Sequence, residues 1–174
     1  MICSPAMEAN AVINLKIRKI TMNYFEMFDL PATYKIDKEK LNNIYLKKQK
    51  ELHQKEDHFA LDNNSSVLNA AYSTLSDPIK RAEYFLRING HDTNISRSDK
   101  NAMNMFEIRE KYEALSDDNS REQFQNLLEN RIEKSINTLH SSENNLDKFH
   151  EQFEFLSFMH SFLEKVRSNV YSRN

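Results

Sequence analysis

Apolar residues along the chain recur at intervals of three and four, the spacing that gathers them on one side of an α-helix. Strand signals, short Val/Ile/Thr/Tyr runs closed by glycine turns, are almost absent. Asn23 to Phe28 reads as a short helix that stops at Asp29-Leu30-Pro31. Asp37 is a good N-cap for a second helix to about Leu52, with Leu41, Ile44, Tyr45 and Leu52 near one face. From His53 to Asn64 the pattern lapses into charged and amide residues and reads as a loop. A third helix follows from about Ser65 to Leu75, carrying Leu68, Ala71, Tyr72 and Leu75. Asp77-Pro78 then offers an N-cap and an N1 proline, and Gly90 after Asn89 is placed to stop the fourth helix.

The second half predicts three longer helices. Ser98 caps one that runs to about Leu115. Ser120 with Gln123 makes a capping box for the next, which carries Phe124, Leu127, Leu128, Ile132, Ile136 and Leu139. The last runs from about Asn145 to Val170 with Phe149, Phe153, Leu156, Leu163 and Val170 in its seam. The short connections near 116–119 and 140–145 favour antiparallel neighbours, hence a three-helix bundle. The expected fold class is therefore all-α. Its expected domains are an extension over 1–21, an N-terminal helical domain over 22–90, a linker over 91–97 and a C-terminal bundle over 98–174.

Composition strengthens this picture. A chain of 174 residues with one Gly, three Pro and 39% hydrophobic residues can build one or two modest helical cores. Its single cysteine, Cys3, excludes an internal disulfide and a multi-cysteine zinc site. No apolar run is long enough to span a bilayer, so no membrane role is expected. Residues 1–21 lack an apolar block followed by a cleavage site, and Met22 offers an alternative start. A mitochondrial presequence is the weaker reading, because Glu8 sits in it and arginine is scarce. Cytoplasm is the default.

A formal net charge of −2 argues against general nucleic-acid binding. That total hides a division. Residues 35–55 hold seven Lys against three acidic residues, whereas 99–154 hold thirteen acidic against seven basic. A basic helix and an acidic bundle suggest different partners.

Catalytic chemistry finds little support. No His follows a Glu by three residues, as a di-iron bundle site would need, and only Asp147 with His150 comes near. A nucleophilic Cys3 would need to be fixed beside a base, which the expected terminal extension does not provide, and one glycine cannot make a phosphate loop. We therefore expect no enzyme, no cofactor and no metal. His53 and His58 read as solvated loop histidines; Lys47, Lys48 and Lys50, with Lys55 nearby, are either a solvated face or a patch for an acidic partner.

The helix from Ser98 is more informative. Met105, Ile108, Tyr112 and Leu115 follow the spacing of a buried seam, and Met103, Phe106, Glu107 and Glu110 fall on another face at i, i+3, i+4 and i+7. A stripe mixing Met and Phe with carboxylates suits partner binding, since Met adapts and Phe anchors. The alternative is that Met103 and Phe106 pack on the preceding domain. Phe155, Phe158, Met159 and Phe162 form a second stripe on the last helix, which more often means core.

The stretch Leu68 to Leu86, LNAAYSTLSDPIKRAEYFL, resembles the HscB family, the J-domain co-chaperones of iron–sulfur cluster assembly. The opening NYFEMFDLPATYKID and the run Met103 with Phe106-Glu107-Ile108-Arg109-Glu110 are similar to that family too. The likeness spans about residues 22–174, and Arg81-Ala82-Glu83-Tyr84 is its most specific part, because ordinary J-domains lack it. It implies an N-terminal J-domain, a linker and a C-terminal three-helix bundle. It also implies two partners, an IscU-type scaffold bound by the bundle and an HscA/DnaK-type ATPase chaperone engaged by the J-domain. The family's scaffold-binding surface falls on Met103, Phe106, Glu107, Glu110 and Phe155. Ala102 stands where the family tends to carry a larger apolar residue, a loss of about 1–3 kcal/mol of burial.

The J-motif departs from the family. Counted without gaps from Asp37, its His-Pro-Asp falls on His53, Gln54 and Lys55, beside the basic residues Lys47, Lys48 and Lys50. The family's aspartate engages a cationic site on the chaperone, and Lys55 brings the opposite sign. A gapped alternative sets Asp57-His58-Phe59 on the family's Asp-Lys-Phe and loses the His and Pro. The expectation is weakened ATPase stimulation with a retained docking face; a scaffold-binding adaptor uncoupled from ATPase is the rival reading.

Overall fold

The structure, a computed structural model, describes residues 23–54, 58–91 and 99–171, with side chains over 23–54, 64–91 and 101–168. Residues 1–21, most of the expected linker, the Ser98 cap and Lys55 lie outside these. Among the described residues every regular element is helical. They are α1 (Tyr24–Met27), α2 (Lys38–His53), α3 (His58–Ser76), α4 (Pro78–Ile88), α5 (Asp99–Glu113), α6 (Asp118–Leu139), a 3₁₀ turn (His140–Ser142) and α7 (Leu146–Tyr171). The chain divides into two compact units. Of the described residues, one unit holds those up to Ala32 and from Ile36 to Ser76; the other holds Thr33–Lys35 and those from Asp77 onward.

In the first unit, Asn23 caps α1 by accepting from the Glu26 amide at 2.9 Å. The helix closes on Asp29 at φ 50°, with the Leu30 amide reaching back to the Phe25 carbonyl at 2.9 Å. Phe25 and Leu30, the residues that bond joins, are both buried, which completes a Schellman stop. Asp37 caps α2 through the Lys40 amide at 2.9 Å. Helices α2 and α3 run antiparallel around Leu41, Leu68, Ala71 and Leu75. Beyond those residues the interface is polar and aromatic. Tyr45 stacks on Tyr72 at 4.0 Å, the Tyr45 hydroxyl donates to Asn69, the Tyr72 hydroxyl donates to Asn42, and Gln49 donates to Asn69.

The second unit is organised around α7, against which α4, α5 and α6 all pack. Phe149, Leu156 and Met159 on α7 are fully buried, in one cluster with Phe85, Leu86, Ile108, Leu128, Ile132 and Leu139. Near the α5–α6 turn, Tyr112 meets Phe124 at 5.8 Å and Phe162 at 5.7 Å, so a single ring joins three helices. Asp77 caps α4 through the Ile79 and Lys80 amides, and Gly90 at φ 77° ends it where the sequence predicts. Only glycine adopts that φ at little cost.

Arg81, from the family-like Arg-Ala-Glu-Tyr run, is 5% exposed. Its Nε donates to the Tyr34 carbonyl at 2.9 Å and its guanidinium lies over the Tyr34 ring. Burial pulls its pKa below the ordinary arginine value. A Glu143 carboxylate accepts from the Tyr34 amide at 2.8 Å, and the Tyr34 ring meets Phe149 edge-on at 5.3 Å. This explains why residues 33–35 belong to the second unit.

Several boundaries differ from the sequence reading. The expected loop over 53–64 is shorter, because α3 begins at His58. Asn and Ser lower helix propensity by only about half a kcal/mol each, and the buried Leu68, Ala71 and Leu75 supply the rest. Asp117, not Ser120, caps α6, accepting from the Ser120 amide at 2.8 Å. Those contacts with Ser120 hold the Asp117 carboxyl below the usual carboxylate range. Leu127, counted in the α6 seam, is 66% exposed. Helix α4, grouped by sequence with the first domain, packs with the second unit through Phe85 on Phe149 at 5.1 Å.

Candidate functional site

On α5, Met105 and Ile108 are buried in the seam predicted for them, and Asn101 holds the helix start by donating to the Glu151 carbonyl on α7 at 2.9 Å. With that side occupied, the opposite stripe is left free. Met103 is 64% exposed and Phe106 59% exposed, and Glu107 and Glu110 are exposed beside them. Neither residue belongs to the core of the bundle itself. Lys111 reaches Glu107 at 3.9 Å, an exposed i,i+4 pair of little strength. Glu110 stands on the same face.

Phe155 takes a different place. It is half-buried against the bundle core, with the Arg131 guanidinium 4.9 Å from its ring centre. Its neighbours Phe158 and Phe162 stack at 5.8 Å and are half-buried, and Met159 is fully buried. Of that stripe only Met159 belongs to the core, while the three phenylalanines pack against its edge. Ala102 is exposed, next to Met103.

On α2 the basic residues separate. Positions 46, 47, 50, 53 and 54 fall within about 120° of one another on a helix of 3.6 residues per turn. Lys47, Lys50, His53 and Gln54 are all exposed there, and Lys47 pairs with Glu51 at 4.0 Å. Lys48 lies on the opposite side, half-buried in the direction of Leu41 and Leu52. His53 is the last residue of α2 and Gln54 its C-cap. Sequence reasoning passed over Leu46, which is 56% exposed on this face. The signal was available: Leu46 is the apolar residue of α2 that does not fit the Leu41–Ile44–Tyr45–Leu52 seam.

Among the described residues no group of three His, Cys, Asp or Glu is placed to hold a metal ion, and no helix is long and apolar enough to cross a membrane. Both candidate surfaces offer exposed apolar groups with charged borders, the chemistry of protein docking.

No family model matches the chain. Two curated proteins, each called co-chaperone protein HscB homolog and drawn from two Vibrio cholerae serotype O1 strains, are 31% identical to it over 106 residues. That stretch is 55% of this chain and 62% of theirs, so the chain spans under two thirds of their length. Among solved structures, chaperone HscB from Vibrio cholerae superposes with a TM-score of 0.70 at 25% identity, covering 88% of this chain and all of that one. The chain is thus similar to HscB proteins in both sequence and fold. The crystal structure of human co-chaperone protein HscB shares the fold, with a TM-score of 0.72 at 19% identity over 86% of this chain and 82% of its own. The all-helical fold is accordingly that of HscB proteins, a J-like N-terminal domain and a C-terminal helical bundle.

Proposed function

We propose that this chain is an HscB-family co-chaperone in iron–sulfur cluster assembly. In this reading its bundle binds an IscU-type scaffold protein, and its J-domain engages an HscA/DnaK-type ATPase chaperone. The observation that carries it is the α5 face, where Met103 and Phe106 are more than half exposed beside the carboxylates Glu107 and Glu110. Such a face suits a partner patch with an apolar centre edged by Lys or Arg, and Phe155 adds an aromatic edge to it. No bond is made or broken in the co-chaperone; its action is to bring two proteins together.

Calorimetry with the cognate IscU-type scaffold tests the bundle half. Wild-type binding that a Met103→Ala/Phe106→Ala variant loses is the expected result. Equal binding by both sinks the site assignment, and no binding by the wild type sinks the reading.

A second reading is favoured by one observation, the replacement of Pro and Asp by Gln54 and Lys55 in the J-motif. On it the chain is a scaffold-binding adaptor that no longer stimulates the ATPase of the chaperone. A lysine opposite a cationic site repels where the family's aspartate attracts. Single-turnover ATPase of the cognate chaperone decides: stimulation equal to that of a His-Pro-Asp protein rules the adaptor out.

A further inference from the structure

Two arginines of the bundle lie on phenylalanine rings beside the α5 face and play no part in the function proposed above. Arg109 Cζ stands 5.3 Å from the centre of the Phe158 ring, and Arg131 Cζ 4.9 Å from that of Phe155. On α5, Arg109 lies three residues beyond Phe106; on α7, Phe158 lies three beyond Phe155; on α6, Arg131 lies four beyond Leu127. Residues so spaced are neighbours on a helix surface. A continuous path therefore runs from Phe106 through Arg109, Phe158, Phe155 and Arg131 to Leu127, which is 66% exposed.

Helix packing explains how the path stays open. Both α5 and α6 pack along α7, and the ring pair that joins them, Tyr112 and Phe124, sits at their connecting turn. Away from that turn Phe155 and Phe158 remain half-exposed, each under a guanidinium rather than under a helix. A cation over an exposed ring contributes only about 0.5–1 kcal/mol, so a partner can displace or share it.

The two ends of the path differ in charge, since carboxylates border only the α5 end. Met103 and Phe106 have Glu107 and Glu110 beside them. Leu127 has Gln123, Phe124, Asn130 and Arg131 as its helical neighbours at three and four residues, with no carboxylate among them. We infer that the partner-binding surface crosses three helices, from Met103 and Phe106 on α5 over Phe158 and Phe155 to Leu127 and Arg131 on α6. The same scaffold partner covers all of it, setting cations against Glu107 and Glu110 and carboxylates against Arg109 and Arg131. This rests on the scaffold reading proposed above. Arg131 is a specificity-determining residue of the extended surface, because its charge fixes which way round the partner lies.

The test is calorimetric titration of the IscU-type scaffold into the full chain. Arg131→Glu is expected to weaken binding about tenfold, more at low salt than at high. Leu127→Ala should weaken it about fivefold, and Arg131→Lys should keep most of the affinity. Leu127 and Arg131 are both exposed, and an unchanged melting curve by circular dichroism verifies folding. If Arg131→Glu and Leu127→Ala bind like the wild type while Met103→Ala/Phe106→Ala does not, the surface ends at α5 and the extension is overturned. If neither set of variants loses binding, or the wild type does not bind, the scaffold reading falls and the extension with it.

Discussion

On α2 an exposed leucine, Leu46, stands among lysines; on α5 an exposed methionine and phenylalanine, Met103 and Phe106, stand beside carboxylates. In each case the apolar residue is one that the buried seam of its helix rejects. What lies behind the two faces differs. Helix α2 is held by Leu41 and by a half-wet ladder of Tyr45, Tyr72, Asn42, Asn69 and Gln49. Helix α5 is held through α7 by a dry phenylalanine and leucine core. The lesson is that border charge and rigidity are set separately. Charge follows from the residues flanking the rejected apolar side chain, and rigidity from what the other side of the helix buries.

The largest expected effect attacks the dry backing. Phe149 is fully buried between Tyr34 and Phe85, so Phe149→Ala should cost about 3–5 kcal/mol in denaturant unfolding. Tyr45→Ala, in the wet ladder, should cost clearly less, because its ring is half-exposed and its hydroxyl can turn to water. Equal losses at the two positions would erase the contrast between the units.

Next in size is the α5 face itself. Removing Met103 and Phe106 together should cost about 2–4 kcal/mol of scaffold affinity, as truncation of apolar anchors commonly does, with little change in melting temperature. A large stability loss from these exposed positions would mean that they support the fold rather than the partner.

The α2 face is expected to respond more modestly. Gln54→Pro combined with Lys55→Asp should raise single-turnover ATPase stimulation severalfold, since it removes a like-charge clash and restores an attraction. Charge reversal at Lys50 should remove stimulation in that variant, whereas reversal at Lys48, on the packed side of α2, should act mainly through stability. If Lys48 and Lys50 behaved alike, the geometric separation of the lysines would have no functional meaning.

Much of this was legible in the residues. Seams of threes and fours placed the helices, Asp37, Asp77 and Gly90 marked ends, and the Met103–Phe106–Glu107–Glu110 stripe stood apart from the Met105–Ile108 seam. Three features were hidden for physical reasons. Periodicity alone counts Leu127 as core, because it cannot tell which side of α6 meets α7. The start of α3 is obscured by Asn and Ser, whose low helix propensity is outweighed by packing. The tie from Arg81 to Tyr34 joins residues 47 apart in sequence, and no local pattern announces it.

That tie supplies the smallest and most discriminating prediction. The Tyr34 ring is 2% exposed and its hydroxyl is buried, with no hydrogen-bond partner among the described residues. Arg81 lies over the ring face, at 5.0 Å from its centre. Burial pushes the phenol pKa above its ordinary value, with the charge and hydrogen bonding of Arg81 partly opposing. A group whose pKa is raised by folding contributes stability that is complete below its unfolded value, here about pH 10, and lost as pH climbs through the folded value. Tyr34→Phe keeps the ring under Arg81 and against Phe149 while removing the uncompensated hydroxyl. At neutral pH it should leave stability unchanged or raise it by up to about 1 kcal/mol, and above about pH 10 its advantage over the wild type should grow. Urea unfolding at both pH values measures this. A loss of more than about 2 kcal/mol at neutral pH would mean that the hydroxyl makes a bond in solution, and that Arg81 holds Tyr34 by more than its backbone and its ring.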